Sequence, residues 1–347
     1  MRYRGKKYNR VCYVGSIYAL LVYLCYSSME EIQNTFFIMG HGIDPEIANR
    51  LEGQMVIVDQ DDITHPFAKM LMGSFLTSWI YLRYLKWKVL PKFDGNEDLY
   101  VQDFHLLSSL VCNRAYNLVE DGAGFFMNVQ KINNGFESQR KLRSTKRYKL
   151  YQLLYGKNYC CFHGDSPLCK KVIITRADDT PPYLDSVSKE VFDINNCWHF
   201  FSEEKKSFIL KLYDITDEDV SLLKHYNVVF FTQPLYKGAG YNSYLEVIRK
   251  LIDKYRGEKF LIKTHQTDDF DYESHFPEVP VFRKKIPSQL IDMLGIRYQK
   301  VITFGSASVC NYNYPVEVDW YGYNPFPSIY KSVGDLIPPK NATICKI

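Results

Sequence analysis

Apolar runs of strand length alternate with helix-period stretches along this chain, and they do so in two separate series; no other feature restricts the fold as much. The first series opens with "RVCYVGS", a turn at Gly15-Ser16 and the helical stretch "IYALLVYLCYSS". It continues through a strand "NTFFIMG", a helix "EIANRLEG" with a glycine stop, and a strand "QMVIVDQDD". A long aromatic helix "FLTSWIYLRYLKWKVL", a strand "DLYVQD", a helix "HLLSSLVCNR" and the strands "YNLVED" and "KVIITRADD" complete it. The second series begins near Val220 with "NVVFFTQPL". A loop and helix "GAGYNSYLEVIRKLIDKYRG" closed by Gly257 follow, then strands "KFLIKTHQ" and "VPVFRKK". A short helix "PSQLIDMLG", capped by Ser288 and stopped by Gly295, leads to the strand "QKVITFGSAS".

Strands that alternate with helices form parallel βαβ units. Two such series predict an α/β chain of two Rossmann-like domains facing each other across a cleft, and 347 residues suffice for a core in each. The expected domains are 1–205 and 206–325, with the segment 326–347 packing back on the first. The boundary falls between Asp193 and Val220.

Bulk properties exclude some classes. The net charge of +4 is small, and no Lys/Arg stripe interleaves with aromatics, so nucleic acid is not an expected partner. The nine cysteines are scattered without a paired CxxC spacing, which indicates reduced thiols and a cytoplasmic protein. "CCFHGDSPLC" lacks a recognised zinc-ligand spacing, and no metal is expected. Tyrosine and phenylalanine, at 28 and 22 residues, suit sugar or base stacking as well as an aromatic core. The basic start "MRYRGKKYNR" and the apolar residues 11–26 imitate a signal anchor, but sixteen residues holding four tyrosines are too short to span a bilayer. Strand, turn and helix are the expectation there. Residues 131–159 are strongly basic with interleaved Tyr and Leu, suited either to an anionic membrane surface, touched peripherally around Arg140 to Lys149, or to a solvated face.

Three strand ends carry unusual residues. In "LVEDGAGFF", Glu120 and Asp121 end an apolar strand and Gly122 follows; the carboxyl edge of an open α/β sheet is where ligands bind. A carboxylate there can take a proton from a sugar hydroxyl, and the glycine lets a substrate approach the backbone. Lys263, Thr264 and His265 end a second-series strand, and such a histidine can bind or protonate the phosphate of a departing nucleotide. Gly305, Ser306 and Ser308 follow the strand "QKVITF", where hydroxyls and free N–H groups at a helix start would cradle a phosphate. Each has a plainer reading: Asp-Gly is a common turn, a strand-end histidine is usually a surface residue, and "GSAS" is a tight turn. Their joint placement describes group transfer from a nucleotide sugar.

"VEDGAGFF", "IKTHQ" and "TFGSAS", in this order, resemble the D/E-D/E-G, HP and Ser-Ser/Thr motifs of bacterial sialyltransferases of GT-B architecture, glycosyltransferase family 52 and related capsular enzymes. "YVGSIYALLV" resembles their first strand and helix, and "KIPSQLIDML" their xPxEL-type helix. The resemblance covers most of Tyr8 to Asn313. It implies an inverting enzyme that moves sialic acid from CMP-sialic acid to a galactose-type hydroxyl of lipooligosaccharide or capsule, with no cofactor and no metal. Asp121 would be the general base with Glu120 beside it. His265 would bind or protonate the CMP phosphate, Ser306 and Ser308 would hold it, and Gly122, Lys263, Gly305 and Ser16 would join the substrate-binding set. The family's proline after the histidine is Gln266 here, the residue before it is Thr264, and the acid of the xPxEL helix is Gln289. The expected partners are a nucleotide-sugar donor, a glycan acceptor, the membrane surface and a second copy of the chain. The rival readings are a metal-dependent GT-A enzyme holding a cation on Asp59 and Asp61, built on a single sheet, a glucosyl or galactosyl transferase, and a non-catalytic carbohydrate-binding protein.

Overall fold

The computed structural model describes residues 8–51, 55–57, 80, 83, 95–103, 108, 113–122, 137, 141–158, 161, 163–176, 180, 184–310, 312–334 and 338–347. It divides into two compact units, the first closing at Leu212 and the second running from Tyr213 to Ile347. Most of the expected helices over residues 75–90 and 105–114, the pair Asp59 and Asp61, and most of the basic stretch before residue 141 lie outside the described residues.

Strands β1 (Arg10–Ser16), β2 (Thr35–Gly42), β3 (Met55–Ile57), β4 (Asp98–Val101), β5 (Tyr116–Val119), β6 (Cys169–Ile174) and β7 (Ser188–Val191) form the first sheet. Its order is β3-β2-β1-β4-β5-β6-β7, and every neighbouring pair is parallel. The central strands read as continuous apolar runs because both of their faces are buried. Val11, Val14, Tyr116, Leu118 and Val172 are buried accordingly. β7 was not anticipated, since "SKEV" is a polar edge strand without an apolar run. Residues 10–26 fold as the expected strand and helix: Ser16 caps the helix Ile17–Tyr26, its Oγ accepting from the N–H of Ala19 at 3.2 Å. That helix is buried along almost its whole length. Among the described residues no helix is long and apolar enough to cross a membrane.

The second sheet contains β8 (Val228–Phe231), β9 (Phe260–Lys263), β10 (Val281–Phe282), β11 (Lys300–Thr303), β12 (Glu317–Trp320) and β13 (Ala342–Ile344). Its order is β10-β9-β8-β11-β12-β13, again all parallel. Helix Tyr241–Lys254 lays Tyr244, Val247, Ile248, Leu251 and Ile252 on this sheet at the spacing of one helical face. Two separate parallel sheets do not accommodate the single-sheet GT-A reading.

Two expectations are corrected here. The segment 326–347, expected to pack back on the first domain, gives its last strand to the second sheet: β13 extends that sheet against β12, with the Cys345 N–H donating to the Trp320 carbonyl at 2.8 Å. Val318 and Trp320 offer an unpaired backbone edge that the last strand satisfies. The helix Ser288–Met293 is not capped by Ser288 either. Pro287 takes the cap position, and the Ser288 hydroxyl turns to the Gln289 Oε1 at 3.3 Å.

One buried cation fixes the end of the first helix. Lys205 Nζ donates to the carbonyls of Cys25 (3.0 Å) and Ser27 (2.7 Å) and sits 3.6 Å from the centre of the Phe201 ring. Burial pushes its pKa down, yet the orphan carbonyls and the negative end of the helix dipole favour the charge. Lys205→Ala is expected to cost about 2–4 kcal/mol. Lys205→Met, which keeps the packed stem, costs less; calorimetric unfolding of the two variants checks both values.

Candidate functional site

The carboxyl ends of three adjacent strands meet around Asp121. β1 brings Gly15 and Ser16, β4 brings Gln102, and β5 brings Glu120 and Asp121, side by side because the sheet order is β1-β4-β5. Ser16 Oγ donates to Asp121 Oδ1 at 2.8 Å, and Gln102 Nε2 donates to the same oxygen. The Gln102 Oε1 accepts from the Gly15 N–H, which fixes which end of the amide faces the carboxylate. Among the described residues Oδ2 receives no hydrogen bond, so one carboxylate oxygen is held and the other is free for a ligand. Burial raises the Asp121 pKa to about 6, against the lowering effect of the Ser16 and Gln102 bonds. The carboxylate is therefore ionised at neutral pH but far more basic than an exposed aspartate.

Glu120 points away, as strand alternation requires. It is fully buried; Oε1 accepts from the Tyr18 and Thr175 hydroxyls (the latter at 2.6 Å) and Oε2 from the Thr175 N–H at 2.8 Å. Both oxygens are taken, so Glu120 ties β5 to β6 and to the first helix and has no free oxygen for chemistry. Gly122 has φ +75°, and a Cβ there would lie 3.1 Å from the Tyr18 ring. Its glycine character answers a local need, a left-handed turn against an aromatic face. Ser16, expected among substrate-binding residues, is the helix cap and a donor to Asp121.

In the second unit His265 follows β9. Its backbone N–H donates to Thr232 Oγ1 at 3.0 Å, and its Nδ1 accepts from the Thr267 N–H at 3.2 Å with the Thr267 hydroxyl at 2.9 Å. A backbone N–H can only donate, so Nδ1 is the acceptor and Nε2 carries the proton. Burial, reinforced by Lys263, holds the His265 pKa down at about 4. The ring is a neutral donor through Nε2–H. Lys263 is itself buried, its Nζ donating to the Thr264 carbonyl at 2.7 Å, and burial lowers its pKa to about 7. In "DDFDYE", Asp268 is buried, accepts from the Thr232 and Tyr272 hydroxyls, and donates its N–H to the His265 carbonyl at 3.0 Å.

The turn after β11 departs from expectation. The N–H groups of Gly305 and Ser306 donate to Thr303 Oγ1 at 3.1 and 2.8 Å, and that of Ser308 to Ser306 Oγ at 3.3 Å. These amides are not free for a phosphate, because Thr303 at the end of its strand closes the turn. Ser306 is buried and Ser308 partly exposed. Gln102 and Thr232 were missed by sequence reasoning; the signal for Gln102 was a polar residue directly after an apolar strand, at the same sheet edge as Asp121.

These contacts define what Asp121→Asn does to the fold. An Asn Oδ1 can accept both bonds, so the turn survives. Because the folded-state pKa lies above the ordinary value near 4, wild-type stability from this group is full at low pH and falls as pH rises through about 6. The variant lacks that loss. Its unfolding free energy is expected to match wild type at pH 4 and to exceed it at pH 7 by an amount on the order of 2 kcal/mol; denaturant unfolding curves across this range check it.

The sequence profile of glycosyltransferase family 52 matches residues 47–324. An uncharacterized protein of Haemophilus influenzae is 32% identical over 170 residues, 48% of this chain and 55% of that one, so the match spans about half the length of this relative. Among solved structures, the fold is similar to an α/β-galactoside α-2,3-sialyltransferase of Photobacterium phosphoreum (TM-score 0.54, 10% identity, 98% of this chain and 99% of that one). It is also similar to a Photobacterium 2,6-sialyltransferase crystallised with CMP and lactose (TM-score 0.56, 11% identity, 96% of this chain and 78% of that one). The sialyltransferase GT-B domain of Photobacterium damselae matches at TM-score 0.51 and 12% identity, over 96% of this chain and 98% of that one. Two Rossmann-like units of GT-B type, and a family profile that spans most of the chain, place this protein in glycosyltransferase family 52.

Proposed function

We propose that the chain is an inverting sialyltransferase that takes sialic acid from CMP-sialic acid and places it on a galactose-type hydroxyl of a bacterial surface glycan. The observation that carries this reading is the Asp121 carboxylate, with Oδ1 fixed by two donors and Oδ2 open. In the proposed step the acceptor oxygen forms a bond to the anomeric carbon of the sugar as the bond to the CMP phosphate oxygen breaks. The hydroxyl proton passes to Asp121 Oδ2, and the electron pair leaves on the phosphate. His265 stabilises that departing charge through Nε2–H; being neutral, it donates without competing for the proton that Asp121 takes. The family and the sialyltransferase folds, one of them solved with CMP and lactose, support the choice of donor and acceptor class.

A donor screen tests the reading most directly: turnover of CMP-sialic acid is expected, and turnover of UDP- or GDP-sugars alone would overturn it. Transfer by Asp121→Asn is expected to fall roughly 10²–10⁴-fold, the usual worth of a positioned base. In the wild type, kcat/KM falls as the pH is lowered through about 6, the pKa to which burial raises Asp121. A kcat for Asp121→Asn within a few-fold of wild type would remove Asp121 from the mechanism. His265→Ala is expected to lose roughly 10²–10³-fold, and donor hydrolysis without acceptor should fall with transfer, which separates a nucleotide-side role from an acceptor-side one.

A further inference from the structure

A hydroxyl holds a neighbouring N–H best when its own proton is claimed elsewhere, and at the end of β8 a buried acid claims it. Thr232 directly follows β8 and is buried. Its Oγ1 accepts from the His265 N–H at 3.0 Å, and its proton goes to Asp268 Oδ2. The Tyr272 hydroxyl donates to the same carboxylate oxygen at 2.9 Å, so the Tyr244 hydroxyl, 2.6 Å from that of Tyr272, donates to it in turn. An ionised carboxylate can only accept. Every hydroxyl proton in this buried group therefore runs toward Asp268, and the Thr232 oxygen turns its lone pairs to His265.

The same acid closes the loop from the other side. The Asp268 N–H donates to the His265 carbonyl at 3.0 Å, and its Oδ1 accepts from the Phe270 N–H at 3.2 Å. Asp269, next along, is exposed and pairs with Lys237 at 3.0 Å, so the two adjacent acids face opposite ways. His265 is thus held at its N–H by Thr232, at its carbonyl by Asp268 and at its ring Nδ1 by Thr267. Of these three holds, that from Thr232 alone comes from a neighbouring strand end. The other two lie within residues 265–268 and would travel with the loop.

We propose that Thr232 is a positioning residue for His265, its hydroxyl aimed by Asp268, and that this pair fixes where Nε2–H points as charge develops on the phosphate. Thr232 is 1% exposed and both functions of its hydroxyl are taken, so it acts through the histidine and does not touch the substrate. The kinetic consequences rest on the transferase reading above; the state of the ring in the free protein does not.

Thr232→Ser keeps the donor and the acceptor and is expected to rescue kcat to within a few-fold of wild type. Thr232→Val removes both. Its kcat for transfer and for donor hydrolysis should fall together by roughly 10–100-fold, the cost of a slightly misplaced reacting group, with the donor KM little changed. Asp268→Asn should lose less in the same direction, because its NH2 must face either the two hydroxyls or the Phe270 N–H. A residue that acts through the imidazole costs nothing further once the imidazole is gone, so Thr232→Val/His265→Ala should match His265→Ala within about twofold. Losses that multiply in the double variant would overturn the proposal, since they mark a general loosening of the fold. In the free protein, NMR titration should place the His265 imidazole near 4 in wild type and in Thr232→Ser. In Thr232→Val, whose loop is free to expose the ring, it should move toward its ordinary value of about 6.5. A midpoint unmoved in that variant would overturn the proposal as well. Should Thr232→Val fail to fold, Asp268→Asn serves in both comparisons. A negative donor screen leaves the titration standing, so the two readings fail separately.

Discussion

The candidate site of the first unit depends on the carboxamide of Gln102. A parallel sheet leaves backbone N–H and C=O groups pointing out at its strand ends, and each must find a partner when buried. Gln102 is completely buried and meets that requirement in two directions, accepting from Gly15 at the end of β1 and donating to Asp121 after β5. Its amide cannot be reversed without placing a donor against the Gly15 N–H. The orientation is therefore set by the backbone of β1, and the carboxylate inherits its position from it. Ser16 adds the second donor while its own oxygen caps the first helix, so the residue that turns β1 into a helix also holds one oxygen of the acid.

The adjacent residue shows why an acidic pair is not two copies of one function. Alternation sends Glu120 inward, where three donors from Tyr18 and Thr175 occupy it, and sends Asp121 toward the open edge with one oxygen unclaimed. Removing the charge of Glu120 would loosen the join between β5 and β6, whereas removing that of Asp121 leaves the join intact. The second unit repeats this division of labour. Asp268 and Thr232 fix the loop, and the tautomer of His265 is chosen by the Thr267 N–H.

Most of the strand order was legible because buried parallel strands are continuous apolar runs, and such runs stand out between helical stretches. β7, β12 and β13 were not legible: "SKEV" and "ATI" are short, polar or exposed edge strands that gain their pairing from the neighbour already present, and "EVDW" interrupts its apolar residues with two acids. Placement at strand ends pointed to Asp121 and His265, since the chain must turn there. What the sequence could not show was saturation. "GSAS" reads the same whether its amides are open or bonded, and only the position of Thr303 reveals that they are bonded. Gln102 was hidden for a related reason: a glutamine after a strand has many roles, and its partners lie 87 and 19 residues away along the chain.

Burial moves the two titratable groups in opposite senses with one cause. Taking charge out of water disfavours the ionised form of each, which raises the Asp121 pKa to about 6 and lowers that of His265 to about 4. Near neutral pH the first is an anion of raised basicity and the second an uncharged donor. The proposed transfer, in which a hydroxyl would lose a proton and a phosphate would gain negative charge, would be served by that combination: a base strong enough to accept, and a donor that is neutral before the charge arrives. Were the imidazole already cationic, it would stabilise the bound nucleotide sugar as much as the departing nucleotide and contribute less to the barrier. In the proposed step, as phosphate charge builds beside Nε2–H, the same low dielectric that kept the ring neutral strengthens that hydrogen bond, so the interaction grows along the reaction coordinate.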